Sequence, residues 1–164
     1  MGLQLPGELV SLLGMLGYNW PESDETRLFE MGQRWLGFNS TLTSAVGEFN
    51  SVAQRVWSDN KGDGMAAFQN RWGAEGSPAP NLDTGSLGAA AIGGGLMLTA
   101  GVVLVLKINV IVQLVQLAIE IFEAVATAIE TFGASLLEIP IFKEITSLLL
   151  DQLINLALNQ LMGG

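Results

Sequence analysis

The sequence predicts an all-α fold, a helical bundle with a helical hairpin near its N-terminus and a hydrophobic helical half behind it. Three observations carry this. From Leu28 to Val56 the apolar residues alternate steps of three and four. From Asn109 to Glu130 the polar residues do the same against an apolar background, and a third run with helical spacing closes the chain. Such spacing places side chains on one face of an α-helix. At 164 residues the chain is long enough for one well-buried core. It is read as a single all-α domain, residues 1–164, with an N-terminal helix plus hairpin over 1–75, a linker over 76–86 and hydrophobic helices over 87–164.

The first element is the short amphipathic helix in LPGELVSLLGMLG, with Pro6 at its first turn, Leu9, Leu12, Leu13 and Leu16 on one face and Gly17 as its stop. YNWPESDE is a turn. Ser23 is the expected N-cap of the next helix, with Asp24 and Glu25 adding negative charge in its first turn. The seam of that helix runs Leu28, Met31, Trp35, Phe38, Leu42, Ala45, Phe49, Val52 and Val56, about eight turns, and a seam of that length requires a partner helix. In VWSDNKGDGMAAFQNRW, Ser58, Asp59 and Asn60 can bond backbone donors and Gly62 and Gly64 can take positive φ. Met65, Phe68 and Trp72 then resume helical spacing, so the stretch reads as the corner of a helical hairpin with Trp57 packed across it.

The Gly, Pro and Ser-rich segment GAEGSPAPNLDTGS is expected to end the hairpin as a linker. Leu87–Leu106 then carries no charge for 20 residues, long enough to cross a bilayer, although Gly93, Gly94 and Gly95 each cost about 1 kcal/mol of helix propensity. Beyond it lies the polar stripe Asn109, Gln113, Gln116, Glu120, Glu123, Thr127 and Glu130. Carboxylates in one line suit a helix buried on three sides with its stripe in water better than one facing lipid, unless that line borders a water-filled lumen. Gly133 and Pro140 break the pattern. Ile141–Met162 is a last amphipathic helix, with Phe142, Ile145, Leu149, Leu153, Leu156 and Leu161 facing the bundle.

Composition excludes several function classes. A net charge of −9 and scattered Lys and Arg argue against nucleic acid. With neither Cys nor His there is no thiolate chemistry, no usual zinc set and no usual proton shuttle. The N-terminus lacks the basic region of a secretory signal. Asp59-x-Lys61-x-Asp63-Gly64 imitates the start of a calcium loop, but Lys61 and Asn70 stand where the third and twelfth ligands belong, so no metal and no cofactor is expected.

The residues carry a resemblance. Two helices joined by a Trp-containing turn with a small-small-aromatic return resemble the Trp-X-Gly (WXG) family of type VII secretion substrates. Trp57 matches the family tryptophan, and Ala66, Ala67 and Phe68 match the start of the second helix. Asp59 stands at the family's glycine position, with Gly62 supplying that conformation after an insertion. The literal Trp35-Leu36-Gly37 sits inside the seam and reads as core. Tyr18 to Glu22 has the spacing of the route's Y-x-x-x-[DE] signal but precedes the hairpin and reads as a turn. The opening residues and FGASLLEIPIFKEITSLLLDQL are similar to the WXG-like leader domains of actinobacterial polymorphic toxins.

The resemblance implies a non-enzymatic export leader or adaptor that presents a C-terminal toxin passenger to a type VII secretion apparatus, with a helical partner or chaperone protein. It implies a chain that is cytoplasmic before export and then secreted or held at the cell surface. The hydrophobic half is expected to cover the hairpin seam within the one chain. The alternative is a membrane channel or anchor formed by the apolar helices over 87–132.

Overall fold

The computed structural model describes residues 2–163. They form five α-helices and one short 3-10 helix, without a strand among the described residues, so the fold is all-α. The helices are α1 (Gly7–Met15), α2 (Glu25–Asp59), α3 (Asp63–Trp72), α4 (Pro78–Ala126) and α5 (Ile139–Met162), with the 3-10 turn at Ala134–Glu138. The chain divides into two compact units: Leu28–Leu98 is one, and the residues up to Arg27 together with those from Thr99 onward are the other.

In the unit Leu28–Leu98, α2 runs antiparallel to the chain that returns after it. Asn50 Oδ1 accepts from Trp72 Nε1 at 2.8 Å, Asn39 Nδ2 donates to the Ser86 carbonyl at 2.7 Å, and Gly32 meets Gly93, so partners fall in number as α2 rises. The closest approach is glycine on glycine. A Cβ on Gly32 would lie 2.6 Å from Met97 Cγ and 2.9 Å from the Gly93 carbonyl, and one on Gly93 would lie 2.9 Å from Leu36 Cγ. Missing side chains let two helix backbones close to a distance that no larger residue permits.

The stretch expected to be a linker over 76–86 is helical from Pro78. Ser77 carries the break before it: its hydroxyl donates to the Trp72 carbonyl at 2.6 Å and its own carbonyl accepts from Asn81 N. Pro78 and Pro80 therefore fall within the first turn of α4, where a helix lacks N–H partners in any case, and they start the helix rather than interrupt it. The second arm of the hairpin is thus α3 followed by the beginning of α4.

The other unit is built on the second half of α4. Leu5, Leu12 and Leu13 pack with Val110, Leu114, Leu117 and Leu150 into one core, flanked by Leu9, Leu16, Trp20, Ile121 and Phe142. Gly17 ends α1 at φ +86. Tyr18 then donates to Asp151 Oδ1 at 2.7 Å and reaches the Ser147 carbonyl at 3.1 Å, tying the coil after α1 to α5. The Asp151 hydrogen bond raises the Tyr18 pKa, with burial adding to it. The N-cap of α2 is Asp24 rather than Ser23: its Oδ1 accepts from Arg27 N at 3.1 Å. Ser23 instead offers its carbonyl to Lys107.

Lys107 is 1 % exposed and lies inside the long apolar helix α4. Its ammonium donates to Glu25 Oε2 at 2.9 Å, to the Ser23 carbonyl at 2.6 Å and to the Leu3 carbonyl at 3.3 Å, and sits 5.6 Å from the Trp20 ring centroid. Glu25 accepts in turn from Leu3 N. Burial is the largest single influence on the Glu25 carboxyl and pushes its pKa up. The hydrogen bonds from Leu3 N, Lys107 and its own backbone N–H, with the lysine charge, outweigh it and hold the carboxyl at about 2.

Two face assignments differ from expectation. The second half of α4 is buried on one side only, through Val103, Val110, Leu114, Leu117 and Ala124. The packed face of α5 is Thr146, Leu150 and Ala157 with Phe142 and Leu153 at its edge, while Ile145, Leu149, Leu156 and Leu161 are exposed. Pro140 stands in the first turn of α5 and initiates it. The turn before it pairs two left-handed residues, Phe132 at φ 52 and Gly133 at φ 84.

Two predictions follow from this packing. Gly93→Ala is expected to destabilise by about 1–3 kcal/mol through overpacking against α2, whereas Gly94→Ala, with open space around it, is expected to stabilise by about 0.5–1 kcal/mol through helix propensity. Urea midpoints that move in the same direction for both would contradict the close contact. For Glu25 the folded pKa lies below its ordinary value of 4.5, so its contribution is complete above that pH and is lost as pH falls toward 2. Acid titration of stability should therefore steepen between about 4.5 and 2 and flatten there in Glu25→Gln; equal acid slopes in the two proteins would refute it.

Candidate functional site

The hairpin corner is the first part of the candidate site. α2 ends at Asp59, after which Asn60 Nδ2 turns back to the Val56 carbonyl at 2.8 Å. Gly62, at φ +117, leads into α3, and its carbonyl receives Met65 N and Ala66 N. No side chain caps that helix, so the corner relies on glycine's access to positive φ. Gly64 lies within α3 and takes no positive φ.

Three aromatics close the corner. The Trp57 and Phe68 centroids are 5.7 Å apart and the Phe68 and Trp72 centroids 5.8 Å, both tilted, distances at which aromatic pairs attract. The hydrogen bond from Trp72 Nε1 to Asn50 satisfies the polar end of the last ring. Ala66 and Ala67 are exposed and do not join the cluster. All three rings are half-buried, so they clasp two helices at the surface instead of filling an interior.

The α2 seam is the second part. Leu28, Trp35, Leu42 and Ala45 are half-buried, while Met31, Phe38, Phe49, Val52 and Val56 are exposed, Phe38 and Phe49 by about half. The face of α2 that is covered lies beside the seam, at Gly32, Val46 and Ala53. The glycine contact decides this. It draws the returning helix toward Gly32 and leaves the larger seam residues off the contact line, so within this unit the first part of α4 leaves much of the seam exposed, where the sequence suggested that it would be covered. Trp35 and Phe38 meet edge to face at 6.0 Å and, with Arg34, line an open groove of about 200 Å³. Trp35-Leu36-Gly37 is uninterrupted helix.

The polar stripe on α4 is graded. Asn109, Gln113 and Glu120 are half-buried, and Gln116, Glu123 and Glu130 are exposed, with Glu130 beyond the end of the helix. Asn109 Nδ2 donates to the Val105 carbonyl at 2.9 Å and Gln116 Nε2 to Glu120 Oε1 at 3.3 Å. The stripe is a set of local helix-surface bonds, and it converges on no nucleophile. Among the described residues no group of Asp and Glu is arranged to hold a metal ion.

Lys107 was the residue that pattern reading passed over. The signal was present: a single lysine in a long apolar run needs either solvent or a carboxylate, and buried lysines are rare unless paired.

Comparison with known proteins adds one finding. A family model described as "WXG100 like domain" matches residues 4–146. Neither curated proteins nor solved structures give a match.

The aromatic clasp generates a prediction. Trp57→Ala should cost about 2–4 kcal/mol, below the full range for a core aromatic because the ring is half-exposed, and Trp57→Phe should recover most of it. Denaturant midpoints measure both. A loss under about 0.5 kcal/mol, as for an ordinary surface residue, would show that the corner closes without the tryptophan.

Proposed function

Because the chain belongs to the WXG100-like domain family, whose members are helical proteins related to type VII secretion, we propose that it is a non-enzymatic export leader or adaptor. In this reading it engages a helical partner or chaperone protein, or the type VII apparatus itself, and carries a toxin passenger joined at its C-terminal side. It would reside in the cytoplasm before export and outside the cell or at its surface afterwards. The observation that carries the reading is the α2 seam. It repeats every 3.5 residues on average from Leu28 to Val56, and five of its large residues stay exposed. A strict repeat of that length fits the side chains of another helix and has no other evident use in water. The hairpin corner supports it by holding α2 and its return arm as one unit, so that the seam is offered on a braced helix.

A membrane anchor or channel is the second reading, favoured by one observation. α4 is long and apolar enough to cross a membrane, and only 28 % of its most apolar window is buried. Against it stand Lys107, held inside this unit by Glu25, and the carboxylates of Glu120 and Glu123 along the same helix. Charged groups at that depth are costly in lipid.

Secretion of a reporter tests the proposal. A folded reporter fused after Gly164 should reach the medium of an actinobacterial host with an intact type VII system and stay inside a host that lacks it. Phe38→Glu with Phe49→Glu should abolish export without unfolding the chain, since both side chains are exposed. Glu120→Gln with Glu123→Gln should leave export intact. Export that persists without the type VII machinery would overturn the leader reading, and recovery of the chain only in the membrane pellet, resisting carbonate, would favour the anchor.

A further inference from the structure

The outward face of α4 carries a second regular seam, distinct from that of α2. Val105, Ile108, Val112, Val115, Ile119 and Phe122 follow one another at steps of three, four, three, four and three, and all six are exposed by 42 % or more. At about 100° per residue this line lies on roughly the opposite side of the helix from the buried Val110, Leu114 and Leu117. α4 therefore has two apolar faces, of which its own unit uses one. Alternate steps of three and four are the spacing of a helix pair wound at 3.5 residues per turn, and β-branched residues suit its inward positions.

We propose that two copies of this chain pair through this face, with the two α4 helices antiparallel. The direction follows from charge and volume. In a parallel pair Phe122 would meet Phe122 and the Glu123 carboxylates would lie at one level beside it. In the antiparallel pair the layers are Val105 with Phe122, Ile108 with Ile119 and Val112 with Val115, each formed twice about a two-fold axis between residues 113 and 114. The largest side chain then meets one of the smallest. Beside the layers, Asn109 of one copy faces Gln116 of the other, two neutral amides, and the Glu123 carboxylates move to opposite ends. A two-fold contact uses one patch twice, which a seam on a single helix provides.

The occupant is a second copy rather than lipid because of what flanks the seam. Asn109, Gln116 and Glu123 run along one border for its whole length, and no Lys or Arg follows Lys107 until Lys143. A helix lying on a bilayer ordinarily carries cations on that border, and one inside it would bury the carboxylate. The pairing goes beyond the leader reading and does not depend on it, since it uses α4 and not the α2 seam.

Cysteine cross-linking tests it without background, because the chain has no cysteine. In the antiparallel pair position 105 of one copy lies beside 122 of the other and about 25 Å along the axis from 105 of that copy. Val105→Cys and Phe122→Cys should therefore cross-link with a short bis-maleimide when mixed, and neither should do so alone. The unmodified chain should sediment as two copies at tens of micromolar. Val112→Glu with Ile119→Glu should shift it to one copy with an unchanged helical spectrum, because both sites are exposed. A chain that sediments as one copy, a Val105→Cys variant that links to itself, or a single copy that floats with phosphatidylcholine vesicles would each overturn the proposal, the last assigning the face to lipid. Export of the reporter leader is measured separately, so failure of one proposal leaves the other readable.

Discussion

A lysine placed inside an apolar helix forces the arrangement of everything around it. Lys107 has no access to water, and an uncompensated ammonium in that position would be lost to unfolding or to deprotonation. Its partners come from three separate points of the N-terminal segment: the Leu3 carbonyl, the Ser23 carbonyl and the Glu25 carboxylate. Meeting that demand lays residues 3–25 along α4, and α1 lies between the two points of attachment. Leu5, Leu12 and Leu13 consequently find Val110, Leu114 and Leu117. Gly2 belongs to the same device, since a Cβ there would lie 2.6 Å from Glu25 Oε2. The hydrophobic burial supplies most of the stabilisation, and the ion pair decides which surfaces share it.

The use of small residues is equally selective. α4 contains several glycines in its first half, and their cost in helix propensity would be hard to explain if all served packing. Only Gly93 meets another backbone, that of Gly32; Gly94 has open space around it. One close contact is sufficient to set the face of α2 that is covered. The larger seam residues remain exposed for that reason, and the apolar line left open on α2 is a consequence of how α4 approaches it. The seam of α2 and that of α4 share a 3.5-residue repeat and serve different partners in the proposals made above, a second protein for the first and a second copy for the other.

The corner between α2 and α3 is built without a glycine close behind its tryptophan. Asp59 follows Trp57-Ser58, and the loop extends to Gly62, where the positive φ is taken. The tryptophan meets the returning helix, through Phe68, and Trp72 extends the clasp to Asn50. A turn of this length is tolerable because the entropy of closing a loop grows slowly with length, and the ring contacts across it hold it closed.

The all-α character, the approximate limits of α1, α2 and α5 and the two regular patterns on α2 and α4 were legible in the sequence, because periodicity is a local property that any helix must display. The corner aromatics were legible too, since glycine and proline mark turns and the flanking rings lie within helical reach of one another. Three things were not. Residues 76–86 read as a linker because proline and glycine are breakers, yet Ser77 places both prolines in a first turn, where they initiate. The covered face of α2 lies one residue away from its most apolar line, and a contact between Gly32 and Gly93, far apart in the chain, decided it. Lys107 looked like one scattered charge among seven until the fold brought Glu25 to it. Sequence pattern thus determined what each helix is; which of its faces meets protein depended on close approaches between distant residues, which no local spacing encodes.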